Sequence, residues 1–556
     1  MKSKIIIVFS MLCAGIYCQA ANKVQLSSSK TFAKQVVSSN TDYVIGTTFD
    51  LKGQIVTVPK GCKLIFKGGT LKNGILVGND TGLEYSGAIF NGIKIKGTWN
   101  VPEIKSSMFK DISKQDKLKD LFALLSSSHE NKLTIENGSY KVSTSASDIS
   151  ALDITSNTEV VVNGTVELVP NDQKRSYVFL IEGCDNVILR GSGIIKGDKD
   201  SHKGKDGEWG YGVCIRKSSN VTVKDLNIQN CWGDCICVAA NSENVLIENC
   251  ALSNARRQGI SFCSGINSEI KNCDISNISG TAPEFGIDVE PDANGVVNNL
   301  LIDGIKVRNC GGGIMGHGGA KNAKVSGVTI SNCTITGSRK QSIYISSASD
   351  YKVVNCSVSD GKYDPVYIVD SSNIEFDNNK ISFSRSGHLI NFGKNGVGTS
   401  NVIFKNNELT CNTSLIRDCS NIKLLNNKIT CSTMFDGSSD QLEGLTISNN
   451  EISGMVSGKF KNCSISGNTI TSDNSTPLSI SGKGANTING NSIKYTGTKS
   501  ISELVSVSST GNKITNNVLT PNDNVKNGIN LKSKNNTASG NTATRAFSNG
   551  GKVLNK

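Results

Sequence analysis

The sequence predicts an all-β fold, a parallel β-helix solenoid with an N-terminal capping helix, preceded by a small N-terminal β module. Three observations predict it. From Cys231 onward, short alternations of apolar and polar residues end again and again in Asn-Cys or Asn-Asn, as in Asn244-Val-Leu-Ile-Glu-Asn-Cys250, Tyr351-Lys-Val-Val-Asn-Cys356 and Asn373-Ile-Glu-Phe-Asp-Asn-Asn379. These anchors form a series, Cys231, Cys250, Cys273, Cys310, Cys333, Cys356, Asn379, Asn407, Asn427, Asn450, Asn468, Asn491, Asn517 and Asn541, with a mean step of about 24 residues. A step of that size accommodates three short strands and their turns, and coils of this kind stack at strand spacing. Finally, 556 residues would ordinarily divide into several domains, and the repeat replaces that expectation with one quasi-linear array.

In chain order, residues 1–20 read as a secretory signal peptide. Lys2 and Lys4 precede the apolar run Ile5 to Leu12, and a small-x-small site closes at Ala20. Export to the periplasm, the cell surface or the medium is expected, and no later apolar run is long enough to span a bilayer. Residues 22–108 are strand-rich and Gly-rich and form the small β module. Residues 109–556 form the solenoid. Within it, residues 113–128 carry Leu118, Leu121, Phe122 and Leu125 at helical spacing. Such a helix would cover the first coil, whose strand edges are otherwise unpaired. His129 is expected to end it, and His202 and His388 are expected at the surface.

The charge is +12, or +10 without Lys2 and Lys4, and the lysines are scattered. A scattered basic excess solubilises and suits a glycan partner, acidic glycans included, while the lack of a basic block argues against nucleic acid. Eighteen cysteines in an exported chain would ordinarily signal disulfides. Their place in the anchor series instead predicts a ladder of reduced, buried thiols, because free Cys packs as a small hydrophobe and Asn can bond backbone at successive turns.

Six strands align by their aliphatic residues: Gly212-Val-Cys-Ile-Arg216, Cys235-Ile-Cys-Val-Ala239, Gly259-Ile-Ser-Phe-Cys263, Gly286-Ile-Asp-Val-Glu290, Gly313-Ile-Met-Gly-His317 and Ser342-Ile-Tyr-Ile-Ser346. Positions two and four belong to the core, so positions one, three and five are expected to point outward. Asp288 and Glu290 then stand together, ~6.6 Å apart at their α-carbons, with Glu290 beside His317. Asp234, Arg256, Arg257, Lys340, Tyr344, Trp209 and Trp232 gather around them. Paired carboxylates do acid/base work, aromatic faces stack on sugar rings, and Arg and Lys hold carboxylates or hydroxyls. The expected catalytic residues are Asp288, Glu290, Asp234 and His317. The expected substrate-binding residues are Arg256, Arg257, Lys340, Tyr344, Trp209 and Trp232.

With these residues in view, the chain resembles the pectate-lyase-like superfamily of right-handed β-helices. Arg190-Gly-Ser-Gly-Ile-Ile-Lys-Gly197, Trp209, Gly233-Asp234-Cys235-Ile236 and Gly316-His317-Gly318 are similar to elements of the polygalacturonase-type glycoside hydrolases. That resemblance implies outward aspartates as general acid and base with a nearby histidine, Asp234 matching one member of an Asp-Asp pair whose other position is Gly233 here, and His317 matching the histidine. Three readings follow. In the favoured one the protein is a glycoside hydrolase needing no cofactor. The second is a polysaccharide lyase with Ca²⁺ at Asp288 and Glu290 and Arg257 or Lys340 as base. The third is a non-catalytic glycan-binding surface protein. In each, the partner is a polysaccharide or oligosaccharide.

Overall fold

The computed structural model describes residues 22–127, 131–393, 398–417, 420–435, 441–545, 547 and 553. The signal peptide and His129 lie outside the described residues. The chain forms two compact units, Met1–Asp111 and Ile112–Lys556.

The second unit is a solenoid of three parallel sheets, each coil giving one strand to each sheet. One coil consists of Asp185–Arg190, Ile194–Lys196 and Trp209–Arg216, and the next of Ser219–Lys224, Asn227–Gln229 and Ile236–Ala239. Inward Val, Ile, Leu and Phe side chains fill the lumen, and Phe376 stacks on Phe404 at 4.6 Å. The third sheet contains the six aligned strands, here β1 (Trp209–Arg216), β2 (Ile236–Ala239), β3 (Ile260–Phe262), β4 (Phe285–Val289), β5 (Gly312–His317) and β6 (Ile343–Ser346). Their register is the one the aliphatic residues predict, with Val213, Ile236, Ile260, Ile287, Ile314 and Ile343 in one row.

One expectation about orientation is corrected. The first position of each aligned strand faces the core, not solvent. A Cβ on Gly212, Gly259, Gly286 or Gly313 would lie 2.5–2.7 Å from Ile228, Ile275, Val307 or Ile335 respectively. Two consecutive inward residues occur where the chain rounds the corner into the strand, and only a small residue, glycine in four strands and Cys235 or Ser342 in the others, fits beside the aliphatic side chain already there. The outward residue is the one before, so Tyr177 pairs with Tyr211, and Phe285 with Gly312.

The anchor series also needs correction, because it mixes two corners. Backbone bonds place Cys250, Cys273, Cys333 and Cys356 at one corner with Leu226 and Ile305, whereas Cys231 and Cys310 lie at the next corner with Ala255 and Ile278. Both corners use the same chemistry. A left-handed Asn (Asn249 and Asn272 at one, Asn230 and Asn309 at the other) is followed by a small inward residue, so Asn-Cys marks either.

From Cys356 the first corner becomes a continuous asparagine ladder. From Asn407 onward each Asn Oδ1 accepts from both the backbone N and the side-chain N of the preceding anchor, as Asn427 does from Asn407 at 2.9 Å for each bond. Each Nδ2 also donates across the coil, Asn427 to the Phe404 carbonyl at 2.9 Å. A second ladder runs Cys463, Asn486, Asn512, Asn536.

All fifteen described cysteines are free thiols, and only Cys263 is not buried. Burial raises the thiols of Cys184 and Cys463 and pushes Cys310 up to about 11. Since a reagent must reach the sulfur, iodoacetamide at pH 7 should add to at most one of these fifteen in the native protein, Cys263, as read by peptide mass spectrometry. Rapid multiple labelling would contradict the packing.

The capping helix is α1 (Lys117–Ser126), shorter than 113–128. Asp116 is left-handed (φ 62) and spends its carboxylate on the backbone N and hydroxyl of Ser143, both at 2.7 Å, so the preceding residues cannot continue the helix. Leu118, Leu121, Phe122, Leu124 and Leu125 are buried, and the helix packs on Asn131–Ile135, Ser139–Val142 and Ser150–Ile154.

The first unit is itself a small parallel stack. Asn22–Gln25 pairs with Thr41–Ile45, which pairs with Lys63–Phe66, which pairs with Thr70–Glu84, at offsets of 19, 21 and 19 residues.

Candidate functional site

On the outside of β1 to β4 is a cleft of 640 Å³. Its floor comprises Cys214, Cys237 and Cys263, and one wall is the stacked pair Tyr177 and Tyr211, 5.4 Å apart. Trp209 stands at its edge, 43% exposed, with the Arg175 guanidinium 5.1 Å from the ring centre. Arg216 and Arg257 supply positive charge, Asp288, Glu290 and Asp292 the carboxyls, and the turn from Pro291 to Gly295, which bears Asp292, closes the side. Burial pushes the Tyr177 hydroxyl up to about 12 and the Tyr211 hydroxyl higher still, so both remain neutral donors.

Asp288 follows Ile287 and precedes Val289, both fully buried in the lumen, so it projects outward. It is nevertheless only 2% exposed. Gln258, one coil earlier and fully buried, accepts the backbone N–H of Phe285 through Oε1 at 2.7 Å, which turns its amide nitrogen onto Asp288 Oδ2 at 2.5 Å. Asp288 Oδ1 has no hydrogen-bond partner. Burial, and then the charge of Glu290, hold the Asp288 carboxyl well above the usual range, against the pull of Arg257.

Asp234 lies deeper and does not line the cleft. It is fully buried, accepts from the Ser261 hydroxyl at 2.5 Å, and sits 3.7 Å from Arg257 Nη1. Burial raises it to about 7 despite Arg257 and Ser261. Arg257 is bracketed by Asp234 and by Glu208 at 3.3 Å. Asp234 therefore holds the guanidinium that faces Asp288.

A consequence for stability follows from Asp234. Between about pH 4, where an unfolded aspartate releases its proton, and about 7, the folded chain keeps a proton that the unfolded chain has lost. Stability from this group is therefore greatest at the acid end and falls as pH rises, by about 4 kcal/mol at most. Asp234→Asn should gain Tm relative to the native chain progressively from pH 5 to 7.5; a constant or shrinking gap in thermal melts would contradict this.

Glu290, half-buried, continues β4 by one residue in register with His317 of β5. It lines both the cleft and a second depression of 320 Å³ bounded by Ala282, Pro283, Met315, His317 and Tyr344. The structure thus brings Asp288, Glu290, Arg257 and Trp209 to one cleft, and His317 and Tyr344 to its neighbour.

Three expected substrate-binding residues are engaged otherwise. Trp232 is sandwiched between the His202 ring, at 4.0 Å, and the Arg256 guanidinium, at 3.9 Å, and Arg256 also donates to the Gly207 carbonyl at 2.7 Å. Lys340 donates to the Pro283 carbonyl at 3.0 Å and lies 3.5 Å from Glu284. These contacts pin the loops that bear Glu208, Trp209 and Pro283. His202 is corrected too, since its side chain is fully buried and its Nδ1 lies 2.9 Å from buried Asp198. Its apolar face is needed against Trp232, which draws the ring in. His388, likewise, is largely buried beside Asp364.

A family profile for the right-handed β-helix region matches residues 154–328 and 320–454, more than half the chain. The chain belongs to the right-handed β-helix family. Two Bacillus subtilis (strain 168) proteins are similar to part of this β-helix protein: uncharacterized protein YclG, 29% identical over 182 residues (28% of this chain, 31% of that one), and the SPbeta prophage-derived uncharacterized protein YorA, 30% identical over 164 residues (25% and 28%). The matches thus span under a third of those relatives. Among solved structures, similar folds include an exopolygalacturonase from Thermotoga maritima (16% identity, 65% of this chain and 91% of that one, TM-score 0.39). Another is the A-module of the Azotobacter vinelandii mannuronan C-5 epimerase AlgE6 (12%, 78% and 97%, 0.35). A third is the tailspike of E. coli bacteriophage HK620 with a pentasaccharide (14%, 76% and 72%, 0.38). At these identities the likeness is one of fold.

Sequence reasoning missed the residues that set this β-helix site's character: Tyr177, Tyr211, Glu208, Gln258 and Ser261. Tyr211, Asp234, Gln258 and Phe285 each immediately precede the first aligned position, and once that position is read as inward, this outward column becomes visible.

Proposed function

We propose that the protein is a glycoside hydrolase in which Asp288 is the general acid and Glu290 the carboxylate that activates water. The observation that supports this most is the Asp288 carboxyl, held above the usual range by burial, oriented by Gln258 and lining a cleft walled by aromatic rings. A neutral carboxylic acid at pH 7 can protonate a leaving glycosidic oxygen. Glu290, two residues along the same strand and less buried, is the natural partner, and a pair so spaced leaves room for a water. Arg257, anchored by Asp234 and Glu208, adds fixed positive charge where negative charge develops. Tyr177, Tyr211 and Trp209 supply faces for pyranose rings.

The donor set does not suit Ca²⁺. The carboxyls of the cleft are Asp288, Glu290 and Asp292, Asp288 Oδ2 is already bound by the Gln258 amide and Arg257 faces that carboxyl, whereas Ca²⁺ takes six to eight oxygens. Among the described residues, no group of three or more His, Cys, Asp or Glu side chains could hold a metal ion.

Product analysis against a panel of neutral and acidic glycans tests the reading. New reducing ends, unaffected by chelator, are expected. Unsaturated products absorbing in the ultraviolet would replace it with the lyase, and binding without turnover across the panel would replace it with a lectin-like role.

A further inference from the structure

We propose that the depression beside Glu290 is a subsite for a 2-acetamido sugar, resting on the glycan-hydrolase reading of the adjoining cleft. Its walls are Ala282, Pro283, Met315 and Tyr344, with two polar groups, Glu290 and His317. A sugar bearing only hydroxyls would press them against apolar walls and lose their hydrogen bonds, at a cost for each. An acetamido group matches instead. Its methyl packs on Met315, Pro283 and Tyr344 and its N–H donates to Glu290, while the His317 ring bounds the space on one side.

The walls are built rather than incidental. Lys340 fixes the Pro283 carbonyl at 3.0 Å. Tyr344 is held by parallel stacking on Tyr367, 5.4 Å away with 2° between the ring planes. His317 fits because Gly319 lies against its other edge, where a Cβ would fall 2.4 Å from Nε2. Glu290 lines both spaces, so an acetamido residue here adjoins the bond presented to Asp288.

The test uses the full-length Asp288→Asn protein, so that binding is read without turnover. Tetrasaccharides of N-acetylglucosamine and their de-N-acetylated counterparts are compared by calorimetry and by saturation-transfer NMR. The acetylated chain should bind at least about tenfold tighter, with the acetyl methyl among the most strongly saturated protons. Tyr344→Ala should bring the ratio near one and Tyr344→Phe should retain it. Equal or tighter binding of the de-N-acetylated chain, an unsaturated methyl, or no binding of the acetylated chain would each overturn the proposal. Wild-type turnover on the glycan panel decides the hydrolase reading separately, because a hydrolase without this discrimination would fail only the subsite.

Discussion

Replacing Asp288 by Asn should lower glycan turnover about 10²–10⁴-fold while leaving the coils intact. The amide matches the acid in size, and Gln258 can still donate to its oxygen at the place of Oδ2. The lost element is the carboxyl's transferable proton, so the loss should fall on kcat more than on KM, and be least for substrates with good leaving groups, which need no protonation. Circular dichroism and melting should show a fold at least as stable as the native one, because a buried, desolvated acid is replaced by a neutral group. Full activity on the natural glycan would remove Asp288 from the mechanism.

Asn427→Ala should destabilise the solenoid by about 3–6 kcal/mol, since it leaves several buried polar groups unpaired at about 1–3 kcal/mol each. Asn427 is 1% exposed and connects three coils, accepting from Asn407, donating to Phe404, and passing its own backbone N–H to Asn450 at 2.8 Å. Coils contact only their neighbours, so the damage should appear as local opening around residues 404–450, read by limited proteolysis and hydrogen exchange. Asn378→Gly is the matched control. Asn378 is left-handed (φ 54) and exposed, and glycine keeps that backbone. It should change stability by about 1 kcal/mol or less. Equal damage from both would mean that the buried ladder contributes nothing special.

The fold was legible because solenoids write their geometry into the chain. The row Val213, Ile236, Ile260, Ile287, Ile314, Ile343 fixes strand register, and the aliphatic period alone finds it. The corners were less legible. Asn-Cys occurs at two of them because each needs the same left-handed residue and the same small inward one, so Cys231 and Cys310 read as members of a column they do not join. The site was half legible. Asp288, Glu290, Arg257 and Trp209 meet at one cleft, as outward positions on neighbouring strands should. Burial could not be read from alternation: Asp288 faces outward yet is covered, with Gln258, from the outward column before it, donating to its carboxyl. Trp232, Arg256 and Lys340 have the residue types of a glycan site, but loop-pinning contacts use those types too.

The protonation state of Asp288 at neutral pH is the most direct test of this account. Carboxyl-¹³C-aspartate labelling, with Asp288→Asn to assign the resonance by its disappearance, follows that one group through a pH titration. That carboxyl should keep its proton well above the range in which an ordinary aspartate loses it. An Asp288 already ionised by pH 5 would contradict it.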